Sequence, residues 1–322
     1  MMEQILGVLD NSLLQGLNYG IAAVGIAIAF RILKYPDLTA DGAFLIGAST
    51  FGALVSTGHS WLSSMLYAVV ASGLCGLTTA LLFEKCGVNR ILSGILTSMM
   101  CYSIAFWILS GRPNINLTDE HSMFSSAQSW DANAHWSHLG IHPATIGISL
   151  FLVFIVTTLL TLLLRSEFGV VLRATGETVT LVEELGRQPF HYYAAGLVMA
   201  NALIGLAGCL VSARQGFVDV NMAFGTVITL VASLVVGEEL LRLFGFVPSR
   251  NLAARAASGV VGASFYFFLY LLILRLSILG LIPMKIQPTD LKLMSALIVV
   301  FFAVIRRHTN RTAEQPEEVL PI

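Results

Sequence analysis

Apolar residues in this chain come in long unbroken runs, with neither the three-to-four spacing of a surface helix nor the alternation of a half-buried strand. The runs fall at 13–31, 43–57, 61–83, 89–110, 144–164, 192–213, 225–240, 257–281 and 291–305. A helix needs about 20 apolar residues to cross the hydrocarbon core of a bilayer. Most runs therefore predict membrane-crossing helices, and 43–57 and 225–240 predict short or broken ones. The ten-residue alternation of a membrane β-barrel is absent, and spans of this length satisfy their own backbone in lipid only as helices. The expected fold is an all-α, polytopic helical bundle of about nine spans.

Composition agrees with that pattern. Of 322 residues, 56% are hydrophobic and 11% charged, against about 25% charged in soluble domains. This excludes a soluble enzyme, a disordered chain and a secreted disulfide scaffold as descriptions of the whole. A net charge of −1 offers no basic surface for nucleic acid. Cys75, Cys86, Cys101 and Cys209 show no metal-type spacing and read as buried free thiols. The stretch Met1–Ser12 carries Glu3 and Asp10 but no basic residue, so the first apolar run is expected to remain in the mature protein.

Charge orients the bundle. Arg31, Lys34, Lys85, Arg90, Arg165, Arg173, Arg187, Arg242, Arg250, Arg255, Arg306, Arg307 and Arg311 fall on one side, and only Arg112, Arg214, Lys285 and Lys292 on the other. By the positive-inside rule the N-terminus lies outside and the C-terminus in the cytoplasm. Trp61, Trp107, Trp130 and Trp136 then sit at the outer edge or in the outer loop. The chain reads as one transmembrane domain over 1–322, with an extracytoplasmic loop at 111–143, a cytoplasmic unit at 165–191 and a cytoplasmic tail at 306–322.

Few residues carry chemistry. No G-x-x-x-x-G-K-[ST], G-x-S-x-G or H-E-x-x-H occurs, so neither a phosphate cradle nor a common hydrolase signature is present; no catalytic site and no cofactor is expected. His135, His138 and His142 could share a helical face around a metal, but a polar outer loop is the preferred reading, and no metal site is assigned. Asp37, Asp41, Glu238 and Glu239 lie at predicted span ends where water is expected to reach them. Arg275 is the one charge well inside an apolar run, read as snorkelling or structurally paired.

Two features point to transport. Thr39–Phe44 and Asp219–Phe224 share a loose pattern of a polar residue, Asp or Asn, then Ala-Phe, and each precedes a short apolar helix. By the charge count they enter from opposite faces, as in an inverted repeat, and paired broken segments mark a translocation pathway. Pro36 and Gly42 reinforce the first break. The pathway candidates are Asn18, Pro36, Asp37, Thr39, Asp41, Gly42, Phe44, Asp219, Asn221 and Phe224. The second feature is the 165–191 unit, where Thr178 or Thr175 could cap a short helix that Gly186 ends. Val179, Leu181, Val182 and Leu185 give it an apolar face, suited to a groove on another protein.

The stretches Leu14–Gly20, Phe30–Phe44, Ile95–Thr97, Gly111–Ile115, Leu172–Glu177, Glu184–Gly186 and Gln215–Gly225 resemble ABC-importer permeases of the branched-chain amino acid type, with the tryptophan/tyrosine transport permeases nearest. The resemblance runs in order from about 13 to 305 and departs in the loop at 117–143 and at Glu239–Gly245. It implies a type II importer permease with inverted halves in a bacterial inner membrane. Two permease copies would form the pathway along their interface, cytoplasmic ATPases would grip the coupling helices, and an extracytoplasmic solute-binding protein would deliver an amino acid or similar solute. Carried over by position, Arg173, Thr175, Gly176, Glu177, Glu183, Glu184, Leu185 and Gly186 form the coupling helix and its approach. An ion-coupled secondary transporter is the alternative reading.

Overall fold

The computed structural model describes residues 2–118, 123–133, 142–245 and 252–279, with isolated positions between 290 and 300. Helix α1 (Met2–Ala27) continues into a π-helical turn (Ile28–Ile32), and an extended stretch leads to α2 (Ala40–Ser56). Then come α3 (Trp61–Glu84), α4 (Arg90–Ile108), a strand β1 (Asn114–Asn116) and α5 (Met123–Asn133). The second part runs through α6 (Pro143–Arg165), α7 (Glu167–Glu177), α8 (Val179–Glu184) and α9 (Pro189–Gln215). Strand β2 (Phe217–Asp219), a 3₁₀ turn (Val220–Ala223), α10 (Thr226–Leu243) and α11 (Leu252–Ile278) complete the described order.

Helix starts follow local chemistry. Ser60, Asn89 and Ser166 accept hydrogen bonds from the first-turn N–H groups of α3, α4 and α7, and Pro143 and Pro189 open α6 and α9, where no N–H is needed. Seven helical stretches are long and apolar enough to cross a membrane, and α2 is a shorter apolar helix. These correspond to eight of the nine expected runs; the ninth, 291–305, falls largely outside the described residues, as does the tail 306–322. Among the described residues there are thus seven spans and a short helix.

Helix α9 is central, packing on α1, α2 and α3, while α11 packs on α1 and α10. Small residues let backbones meet: a Cβ on Gly47 of α2 would stand 2.2 Å from the Gly205 carbonyl oxygen of α9. Such contacts replace the hydrophobic driving force that lipid does not supply. By contrast α6 and α4 leave most of their apolar surface uncovered, as lipid-facing helices do.

The described residues of 111–143 include regular structure. Strands β1 and β2 pair antiparallel, Ile115 opposite Val218, and Asp131 of α5 accepts hydrogen bonds from Ala144 N, Thr145 N and Thr145 Oγ1 at the start of α6. His142 donates its backbone N–H to Asp10 and pairs Nδ1 with the same carboxylate at 2.7 Å. His135 and His138 lie outside the described residues, and among the described residues no group of three ligating side chains could hold a metal. Three of the cysteines are buried, but Cys86 is exposed in the turn between α3 and α4, which departs from expectation.

Candidate functional site

The two broken segments meet. Asp41 stands in the first turn of α2, and its carboxylate accepts from Gly225 N (3.1 Å) and Val227 N (2.7 Å) at the start of α10. One carboxylate thus serves the positive ends of two helices, where unpaired N–H groups and the helix dipole both favour an anion. Gly225 adopts φ +83° and offers no side-chain cap of its own. Ser98, which lines the same cavity as Asp41, is eight residues into α4 from Arg90, about 12 Å along a helix.

Around this junction is a cavity of about 560 Å³. Leu38, Asp41, Gly42 and Leu45 line one side, Ile95, Ser98, Met99 and Tyr102 of α4 another, and Asn221, Phe224, Val227 and Ile228 the third. The lining is mostly apolar, with a polar corner where Tyr102 Oη donates to Asn221 Oδ1 at 3.1 Å. Phe224 (67% exposed), Met99 (65%) and Ile228 (50%) face outward at its mouth. Asp219 lies outside the cavity lining and accepts from Asn221 N, holding the 3₁₀ turn that presents Asn221.

Other pathway candidates are elsewhere. Asp37 and Thr39 are fully buried behind the cavity. Asp37 accepts from Thr39 N and from Asn201 Nδ2 of α9, and Thr39 shares a hydrogen bond with Thr79 of α3. Pro36 lies in the extended stretch between the π-turn and α2, and Phe44 is buried against Tyr19. Asn18 is buried within α1, and neither amide atom has a hydrogen-bond partner among the described residues. Water access to Asp37, expected from its place near a span end, is corrected by this burial. Glu238 is corrected too: its carboxylate is buried and takes a two-pronged hydrogen bond from Arg31. Glu239 pairs with Arg242 one turn along α10. Arg275 is in the last turn of α11, its Nε without a partner among the described residues.

At the opposite end from β1 and β2, α7 and α8 form a compact unit. Thr178 occupies the cap position of α8 without a side-chain bond, and Gly186 closes it at φ +71°. Thr175 is inside α7, its hydroxyl donating to Val171 O. Of the apolar residues, Val182 turns into the core, while Leu181 and Leu185 are exposed along with Glu183 and Glu184. Arg173 donates to the Leu164 carbonyl, Glu177 accepts from Lys34, and Gly176 sits directly on the backbone of residues 32–33.

A family model for the permease component of branched-chain amino acid transport systems matches residues 8–304. The chain belongs to that family: it is a polytopic, helical membrane permease of the ABC type for amino-acid transport. Among curated relatives it is 31% identical to a tyrosine transport system permease protein of Clostridioides difficile (strain R20291) over 301 residues, 94% of this chain and 90% of that one. It is 27% identical to an uncharacterized protein of Rickettsia prowazekii (strain Madrid E), covering 86% and 89% of the two chains. No solved structure gives a significant match. The family and the named relative are transport permeases, not enzymes.

Proposed function

We propose that this chain is the membrane subunit of an ATP-driven importer of an amino acid, acting as a pair of identical copies in a bacterial inner membrane with its N-terminus outside. The observation that supports the reading is the junction of Asp41 with Gly225 and Val227, where two interrupted helices meet beside a mostly apolar cavity. Broken helices tolerate lipid only where they line a cavity. The polar corner of Tyr102 and Asn221 favours a second copy of the chain as the cavity's cover, because lipid would leave it unsolvated.

The α7–α8 unit is the docking element for cytoplasmic ATPase subunits. Leu181 and Leu185 give it an apolar point, and Glu183 and Glu184 a charged rim. An extracytoplasmic solute-binding protein delivers the solute to the face carrying β1, β2 and α5. The Clostridioides relative's name supports tyrosine or a similar amino acid as that solute, and the Tyr102–Asn221 corner suits a solute with both an apolar body and a hydroxyl.

The test is uptake of labelled tyrosine into proteoliposomes holding the full chain, its ATPase subunits and its binding protein. Uptake should require ATP and all three components, and Glu184→Arg should abolish it while the chain still inserts. Proton-gradient-driven uptake by the chain alone would assign it instead to ion-coupled transport.

A further inference from the structure

The stretch between α1 and α2 is irregular in a specific way. Leu33 N donates to Ile28 O, five residues back, and Tyr35 N to Ala29 O, six back, each at 2.9 Å. Lys34 then adopts φ +50°, the left-handed region that residues with a Cβ rarely occupy. A π-turn followed by a left-handed lysine persists only where surrounding contacts hold it, and such places are often points of movement.

The contacts that hold it come from two directions. On one side is α7. A Cβ on Gly176 would stand 2.0 Å from the Ile32 carbonyl oxygen, so the two backbones touch, and Lys34 pairs with Glu177. Tyr193 Oη donates to Thr175 O at 3.2 Å, and its ring joins Tyr35 and Phe83 around the Arg90 guanidinium, 5.1–5.8 Å from the three ring centres. On the other side is α10. Arg31 Nε and one terminal nitrogen each donate to Glu238 at 2.6 Å, with the Glu238 side chain 9% exposed.

Arg31 and Lys34, three residues apart, therefore reach to different helices. Ten residues beyond Arg31, Asp41 takes hold of α10 again at its other end. The stretch 31–41 grips α10 near both ends. Between the grips it is pinned to α9 through Asp37 and Asn201, and to α3 through Thr39 and Thr79.

We propose that residues 28–41 are the lever that carries displacement of α7 to α10, and that Gly176, Arg31 and Glu238 are positioning residues for the coupling of ATP hydrolysis to solute movement. None of the three lines the cavity. This rests on the reading of α7–α8 as the ATPase-docking element. A two-pronged ion pair with its carboxylate buried suits the task, because it holds both position and orientation.

The experiment uses the full chain with its ATPase subunits and binding protein in proteoliposomes, and reads solute imported per ATP hydrolysed. Arg31→Glu and Glu238→Arg should each lower that ratio by about ten-fold, with hydrolysis little changed, and the double exchange should restore most of it, as coupled neighbours do in double-mutant cycles. Glu238→Gln keeps the side-chain shape and guards against misfolding of the charge reversals; about a three-fold fall in the ratio is expected. An unchanged ratio in Glu238→Gln, a parallel fall of uptake and hydrolysis, or no rescue by the double exchange overturns the proposal. Wild-type uptake that ignores ATP is a separate outcome, seen before any substitution is made; it removes the docking reading and the lever with it.

Discussion

The starts of α2 and α10 meet the same physical need in different ways. Each helix exposes N–H groups that nothing inside the helix can satisfy. At α2 the solution is local and sealed: Asp37 takes Thr39 N while its other oxygen is bonded to Asn201, and all three residues are fully buried. At α10 the solution is borrowed. Gly225 contributes no side chain, and its N–H and that of Val227 go to Asp41, a residue of another helix, across the edge of an open cavity. The first start is fixed by the core. The second lasts only while α2 and α10 stay in register, so any relative movement of the two helices breaks it.

Substitutions at the two aspartates separate these roles. Asp37→Ala leaves Thr39 N and one N–H of the Asn201 amide buried without an acceptor, the other N–H still going to Leu197 O, at about 1–3 kcal/mol for each orphaned group. It should show the largest loss of thermal stability in detergent, with transport falling only as folded protein falls. Asp41→Ala removes a cap worth about 1–2 kcal/mol. Its unfolding midpoint should drop less than that of Asp37→Ala, while uptake per folded molecule drops further. A variant at Asp41 that transports normally would dissolve the contrast.

How far the sequence shows all this depends on the range of the forces involved. Eight apolar runs became helices because crossing lipid is a requirement of length and composition, visible in any window of the chain. The stop at Gly186 is likewise local, since glycine suits the left-handed backbone found there. The two broken segments were visible as an echo in sequence, but their contact was not, because Asp41 and Gly225 are joined only by the packing of α2, α4 and α10. Burial of Asp37 and Glu238 departs from the sequence expectation for a related reason. Nearness to a span end implies water only if nothing covers that end, and Asn201 and Arg31 arrive from far along the chain. The π-turn has no sequence mark either: Pro36 announces a break, but the turn comes earlier, where Gly176 and Glu238 hold it.

Gly225 allows a finer cut. With φ at +83°, Ala at this position costs about 1–2 kcal/mol of backbone strain while leaving the Asp41 carboxylate and both N–H groups in place. Gly225→Ala should therefore lower stability less than Asp37→Ala and reduce uptake less than Asp41→Ala. If it matched Asp41→Ala in uptake, the conformation of the turn and not its cap would govern α10. Uptake and unfolding measured on the same preparations decide between them.

The smallest effect is expected at Tyr102, which faces the borrowed start from α4. Tyr102→Phe removes one half-exposed hydroxyl and its bond to Asn221. A net hydrogen bond is worth about 0.5–1.5 kcal/mol, and partial exposure to the cavity places this one at the low end, so the unfolding midpoint should not move measurably. The effect belongs in transport. Asn221 is left with a free carbonyl oxygen at the cavity's polar corner, and a solute hydroxyl can take the place that Tyr102 held. Uptake of tyrosine should then change relative to that of phenylalanine, by a factor of about two to three, with total capacity preserved. An equal change for both solutes would mean that the corner only positions the 3₁₀ turn ahead of α10, in which case Asp219→Ala, which removes the acceptor that holds the same turn from the other side, should give the same result.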